Sequence, residues 1–250
     1  QDAAPTYGFD KVIMLAGGVG YARRSDAQKG TPEPGEEVVL LGGDNYRIGM
    51  GGGAVSSVNT GQYAGAIELN AVQRSNPEMQ KRVENVIRTL SESEDNPIIS
   101  IHDHGAGGHL NCLSELVETT GGHFDLSTFP IGDETLSSKE IIGNESQERM
   151  GLLVKGDAVE RIARIAERER APMYVVGRTT DDMHLTFEEA GGDKPIDLAL
   201  SDMFGSAPKT YMVDKHIDKT YPALSYDAAR VEHYLDEVLQ QEGVACKDWL

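Results

Sequence analysis

The stretch from Asn96 to Val117, "NPIISIHDHGAGGHLNCLSELV", limits the fold more than any other part of the chain. Ile98, Ile99 and Ile101 form a short β-branched run that stops at His102, Asp103 and His104. Gly105, Ala106, Gly107 and Gly108 follow, and then Leu110, Leu113, Leu116 and Val117 recur at helical spacing. A switch of period from 2 to 3.6 across a glycine-rich turn marks a strand that hands over directly to a helix. The helix must fold back on its own sheet, so this segment calls for a layered α/β domain.

The rest of the chain repeats the theme. In "SNPEMQKRVENVIRTLSE", Asn76 can cap a helix, Pro77 suits its first turn, and Met79, Val83, Val86, Ile87 and Leu90 share one face. Strands are expected at Val38–Leu41, in "GHFDLSTF", at Met150–Val154, and in "PMYVVGRTT" and "MHLTFEE", the last two separated by the turn residues Asp181 and Asp182, and some sequential strands look hairpin-linked. Asp157 is expected to cap a helix whose Val159, Ile162, Ala163 and Ala166 face inward. Further glycine breaks, at Gly17, Gly18 and Gly20 and at Gly51 to Gly53, suggest backbone passing close to another strand or a ligand. The sum is an α/β sandwich with a mixed sheet covered by helices, and not a doubly wound dinucleotide fold. Residues 1–190 form the expected domain. Residues 191–250, with prolines at 195, 208 and 222 and a last helix over Tyr226–Gln241, read as a connector toward a missing neighbour.

Charge and composition narrow the partners. Acidic residues outnumber basic ones 41 to 23, for a net charge of −18, so a nonspecific nucleic-acid binder is excluded. No apolar run reaches the ~20 residues of a membrane span, so no membrane partner is expected. Two distant cysteines, Cys112 and Cys246, make a disulfide framework improbable and favour a cytoplasmic setting. The chain begins with Gln1, which suggests a piece of something longer.

Asp103 ends its strand beside a helix start, at the sheet edge where α/β folds bind ligands and helix amides attract phosphate. A carboxylate next to phosphate implies magnesium, which takes oxygen ligands and only one or two protein carboxylates. A helix cap in a tight turn explains the same residues equally well. Zinc is disfavoured: His102 and His104 point to the face opposite Asp103, and no cysteine pair completes a tetrahedral set. At least two of His102, His104 and His109 are expected to be structural. In "KEIIGNESQER", Glu140 and Asn144 share a face if the helix persists, and Glu145, Ser146 and Gln147 follow at a turn before a buried strand. A charged, solvated helix end is the plainer account of that segment. Gln73 and Arg74 precede the Asn76 cap. No nucleophile arrangement and no phosphate-loop motif stands out.

Taken together, "IMLAGGVG", "GGDNYRIGMGGGAVSS", "AVQRSNPEMQKRVENVI", "IHDHGAGGHLNCLSELVE", "DETLSSKEIIGNESQERMGLLV" and "PIDLALSDMFGSAPK" resemble the large single-chain form of the phosphoribosylformylglycinamidine synthase family. The motifs run in the family's order from Lys11 to Lys209. The resemblance implies a domain like the C-terminal one of aminoimidazole ribonucleotide synthetase. It also implies a ligase that converts formylglycinamide ribonucleotide, ATP and glutamine into formylglycinamidine ribonucleotide, ADP, phosphate and glutamate. It implies Asp103, Glu140 and Asn144 as magnesium ligands, and Gln73, Glu145, Ser146 and Gln147 as substrate contacts. His102 and Gly105, in the same motif as Asp103, are the candidate nucleotide contacts, with ATP or ADP as the nucleotide. The remaining synthetase subdomains and the glutaminase domain would be partners, and the isolated piece is expected to be inactive. His104 and His109 depart from the small or aliphatic residues usual at their positions, which weakens any catalytic role for them. The competing expectation is a stand-alone binding or assembly module.

Overall fold

The computed structural model describes residues 17–51, 55, 58, 62–71, 75–205, 208–213, 220–241 and 244–245. The apolar residues before the Gly17 break, the glycines at 52 and 53, Gln73, Arg74 and Cys246 lie outside these residues. The chain divides into two compact units, Gln1–Ser206 and Ala207–Leu250.

In the first unit the strands are β1 (Glu37–Leu41), β2 (Ile98–His104), β3 (Gly122–Asp125), β4 (Ser146–Val154), β5 (Met173–Thr179), β6 (His184–Glu188) and β7 (Ile196–Ala199). They form one sheet in the order β2-β4-β1-β5-β3-β6-β7. Neighbours are antiparallel except β3 and β6, which pair in parallel. The sheet is therefore mixed, as the alternating pattern requires. β5 and β6, though separated only by a turn, do not form a hairpin, because β3 inserts between them. The hairpin that does form joins β6 to β7, in the stretch beyond residue 190 where the sequence pattern weakens. β7 keeps that stretch in the first unit as an edge strand.

The helices of this unit are α1 (Gly65–Asn70), α2 (Pro77–Ser91), α3 (Gly108–Leu116), α4 (Ser138–Ile142), α5 (Val159–Glu169) and α6 (Leu200–Met203). α2 starts as its sequence dictates, with the Asn76 side chain accepting from the Met79 amide at 3.1 Å and Pro77 in the first turn. Its Val83, Val86 and Leu90 join Ile162 and Ala166 of α5 over Val39, Leu41, Leu152 and Val154. Alternate residues Val38, Leu40 and Leu153 point the other way, into a second core built with Cys112, Leu113 and Leu116 of α3. Two helical layers thus sandwich the sheet, and the strand period of 2 splits each central strand between two cores. Two details differ from expectation. Asp157 lies in a 3-10 turn, Gly156–Ala158, and does not cap α5, and Ala163 faces solvent while Ile165 packs against the core.

The second unit carries α7 (Val231–Leu239), shorter than the expected helix over 226–241 because a 3-10 turn, Ala228–Arg230, precedes it. Asp227 caps that turn through the Ala229 amide. Val231, Leu235, Val238 and Leu239 are exposed. Among the described residues no helix is long and apolar enough to cross a membrane.

Candidate functional site

Three segments far apart in sequence meet at the end of β2. The first is the turn between β2 and α3. Gly107 and Gly108 both have positive φ, 83° and 57°, which glycine adopts without the penalty of a Cβ. A Cβ on Gly108 would lie 2.5 Å from the Asn144 carbonyl oxygen, so the turn sits directly against the second segment, the turn before β4. The third segment follows β1: the Gly49 carbonyl accepts from the Glu145 amide at 2.7 Å, and a Cβ on Gly49 would fall 2.0 Å from the Glu145 carbonyl oxygen. Gly49 and Gly108 are thus places where backbone crosses backbone.

Side chains fasten the junction. Glu145, buried, accepts from the Gly107 amide at 3.1 Å. Asn144 donates through Nδ2 to the carbonyls of Tyr46 at 2.7 Å and Ile48 at 2.9 Å, which pins the loop after β1. Arg149 is fully buried beneath. Its guanidinium reaches the carbonyls of Gly43 at 3.2 Å, Asp44 at 3.4 Å and Asn144 at 3.5 Å, and His109 Nε2 at 2.9 Å. One cation thereby gathers backbone carbonyls of the loop after β1 and of the turn before β4, which would otherwise be costly to bury.

The histidines divide as strand alternation requires. His102 pairs through Nδ1 with Glu115 Oε2 at 2.7 Å, and His104 stacks edge-on against His109; both partners lie on α3. Burial, and then the nearby Arg149 charge, hold His104 and His109 well below the usual imidazole pKa. His102 is lowered too, by partial burial first and by Lys29 second. Cys112, on the same side, is a buried thiol whose pKa burial raises.

Asp103 faces away from these rings and is exposed, accepting from the Gly105 amide at 2.9 Å. The amides of Gly105 and Gly107 are therefore already engaged by Asp103 and Glu145. Glu140 is partly exposed. Its Oε2 accepts from both the amide and the hydroxyl of Ser137 at 2.8 Å in a capping box, and its Oε1 pairs with Arg47. Ser137 foremost holds its carboxyl below the usual range. The helix does not persist to Asn144: α4 ends at Ile142, Gly143 closes it, and Asn144 lies beyond as a buried bridge residue opposite Met50. Glu140 and Asn144 therefore do not share a helical face. In the following run Glu145 and Ser146 are buried and Gln147 is exposed. "NESQER" is thus not a solvated helix end, since Asn144, Glu145, Ser146, Glu148 and Arg149 are all buried. The sequence pattern singles out neither Arg47 nor Arg149. For Arg149 the available signal was its place in the run leading into an apolar strand.

For a divalent cation the donor chemistry is suitable. Asp103 offers an exposed carboxylate, Glu140 a partly exposed one, and Asn144, with its Nδ2 spent on carbonyls, keeps Oδ1 as its acceptor. Among the described residues no three His, Cys, Asp or Glu side chains gather into a metal-holding group. Asp103, Glu140 and Asn144 present oxygen acceptors by residue type, which suit magnesium better than zinc.

Comparison with known proteins places this architecture. Residues 33–189 match the model of the AIR synthase related protein, C-terminal domain. Among solved structures, PurL of T. maritima complexed with FGAR is similar at 24% identity and a TM-score of 0.68, over 83% of this chain and 35% of that one. Phosphoribosylformylglycinamidine synthase II from Thermotoga maritima matches at 21% identity and 0.62, over 80% and 30%. PurLQS from the same organism matches at 22% and 0.61, over 87% and 33%. The chain spans about a third of the length of these structures, and at such identities the likeness shows the fold. The family match covers most of the first unit and includes Asp103, Glu140 and Asn144, so the chain belongs to the AIR synthase related proteins and carries their C-terminal domain.

Proposed function

We propose that this chain is the C-terminal-type subdomain of a phosphoribosylformylglycinamidine synthase core, one wall of a site for ATP or ADP, magnesium and formylglycinamide ribonucleotide. The observation that carries this reading is the meeting of the "GDNYRIGM", "HDHGAGG" and "NESQER" segments at Glu145. These are the segments that carry the sequence resemblance, and they converge although nothing local draws them together. PurL structures of the same fold bound to FGAR, ATP and ADP support the ligand classes. The segment from residue 191 onward leads, in this reading, toward the second half of the synthetase core. The other half of the site, and the glutaminase that releases ammonia from glutamine, belong to partner domains.

Asp103, Glu140 and Asn144 would hold the magnesium ion. When bound, the ion offsets phosphate charge and orients the oxygens around it. The chain's own residues do the positioning. Gly107 and Glu145 fix the turn that carries Asp103 onto the turn that carries Asn144. Arg149 fixes both to the loop after β1. Gln147, exposed beside them, is the member of its run with access to a substrate, and Gln73 precedes α2 as a further contact. His102, held by Glu115, and Gly105, whose amide serves Asp103, contribute to a nucleotide wall by shape and backbone. With half of the site elsewhere, the isolated chain completes no turnover. Formylglycinamidine ribonucleotide formation from ATP, ammonia and the formyl substrate tests this: none is expected from the chain alone, and robust turnover would overturn the fragment reading.

A further inference from the structure

Arg47 lies on the loop after β1, and its guanidinium is pointed at α4. Nη1 pairs with Glu140 Oε1, and Nη2 donates to the carbonyl of Thr135 at 3.1 Å and to its hydroxyl at 3.0 Å. Nε lies 3.8 Å from Asp133. Both carboxylate oxygens of Glu140 are thereby engaged, Oε2 by Ser137 and Oε1 by Arg47.

We propose that Arg47 is a built-in competitor for the cation site, a cationic latch that occupies Glu140 until a divalent ion displaces it. The proposal rests on the reading of Glu140 as a metal ligand. Ser137 bonds to Oε2, so the capping box can survive ligation through Oε1, and Arg47 is the group that competes for that oxygen. A guanidinium and a divalent cation on the same oxygen repel each other at a range of a few ångströms, where little screening operates. Release does not orphan Arg47, because Thr135 still accepts two of its bonds and Asp133 stands near. Asp133 is kept ionised by the Thr135 hydroxyl and amide, so it remains an anion able to take the charge. The loop that carries Arg47 is also the loop that Asn144 pins through Tyr46 and Ile48. The latch and the third ligand therefore act on one segment, and the cation exchanges a tie between that loop and α4 for its own bonds.

The test is Mn²⁺ binding to the 250-residue chain, followed by electron paramagnetic resonance of the free ion. Arg47→Ala should tighten binding by about twofold to fivefold, the range an exposed ion pair supplies. Arg47→Lys, which keeps the charge without the planar fork, should fall between the two. In a Glu140→Gln background, Arg47→Ala should change nothing. Equal tightening in both backgrounds, or no tightening in either, overturns the latch. If Asp103→Asn weakens Mn²⁺ binding while Arg47→Ala has no effect, the latch fails and the metal reading stands. If Mn²⁺ does not bind, or binds regardless of Asp103→Asn and Glu140→Gln, the metal reading fails and the latch falls with it.

Discussion

The Gly107 amide donates to Glu145 Oε1 at 3.1 Å, a bond between residues 38 apart that joins the turn after β2 to the turn before β4. Glu145 is buried, so removing its carboxylate leaves Gly107 without that acceptor. Glu145→Ala should cost about 1–3 kcal/mol of unfolding free energy, and Glu145→Gln, which keeps an oxygen there, distinctly less. Urea denaturation of the three proteins checks the order.

The backbone crossings make a sharper demand. Gly49 and Gly108 have positive φ and would press a Cβ to 2.0 Å and 2.5 Å from backbone atoms, whereas Gly51, also at positive φ, has open space around it. Gly51→Ala should cost about 1 kcal/mol from conformation alone. Gly49→Ala and Gly108→Ala should each cost more than about 3 kcal/mol, because backbone must move as well. Denaturation midpoints that fail to separate the two classes would refute the close approach.

His109 makes stability depend on pH. Its folded pKa lies well below its unfolded value near 6.5 because of burial and Arg149. Above that value both states are neutral and its contribution is fully present. As pH falls below about 6.5 the unfolded state takes up a proton that the folded state refuses, so stability drops. His109→Leu should reduce the slope of unfolding free energy below pH 6.5, whatever it does to stability at pH 8, and His104, lowered by the same burial, keeps part of it. An unchanged slope would mean that His109 is not the group that titrates.

Much of this was legible in the sequence. The cap at Asn76 and Pro77, the two-sided burial of β1 and β4, and the division of His102 and His104 from Asp103 all follow from short-range periodicity. The insertion of β3 between β5 and β6 does not, because pairing between strands separated by a helix leaves no local signal. Glu140 was readable as the third residue of a capping box after Ser137, a purely local pattern, yet its four-residue spacing to Asn144 suggested a shared face. Gly143 ends the helix and removes that geometry. Arg149 has only its place before an apolar strand as a sequence signal, and its burial follows from the long-range carbonyls of Gly43, Asp44 and Asn144 around it.

Asn144 offers a separate test of how the loop after β1 is held. Asn144→Ala removes two donors to the carbonyls of Tyr46 and Ile48 and should cost about 1–3 kcal/mol. Amide hydrogen exchange should rise first at residues 45–50, and uniform protection across that loop would contradict its anchoring through Asn144.

In the proposed function Asp103 ligates a cation that accompanies a nucleotide. Calorimetric titration of the chain with Mg²⁺ and ADP tests it most directly, because Asp103 is exposed and Asp103→Asn should leave the melting temperature unchanged. The account predicts saturable binding to the wild type, weakened by about tenfold or more in the variant, as loss of a charge-assisted ligand requires. Equal binding by both proteins would contradict it.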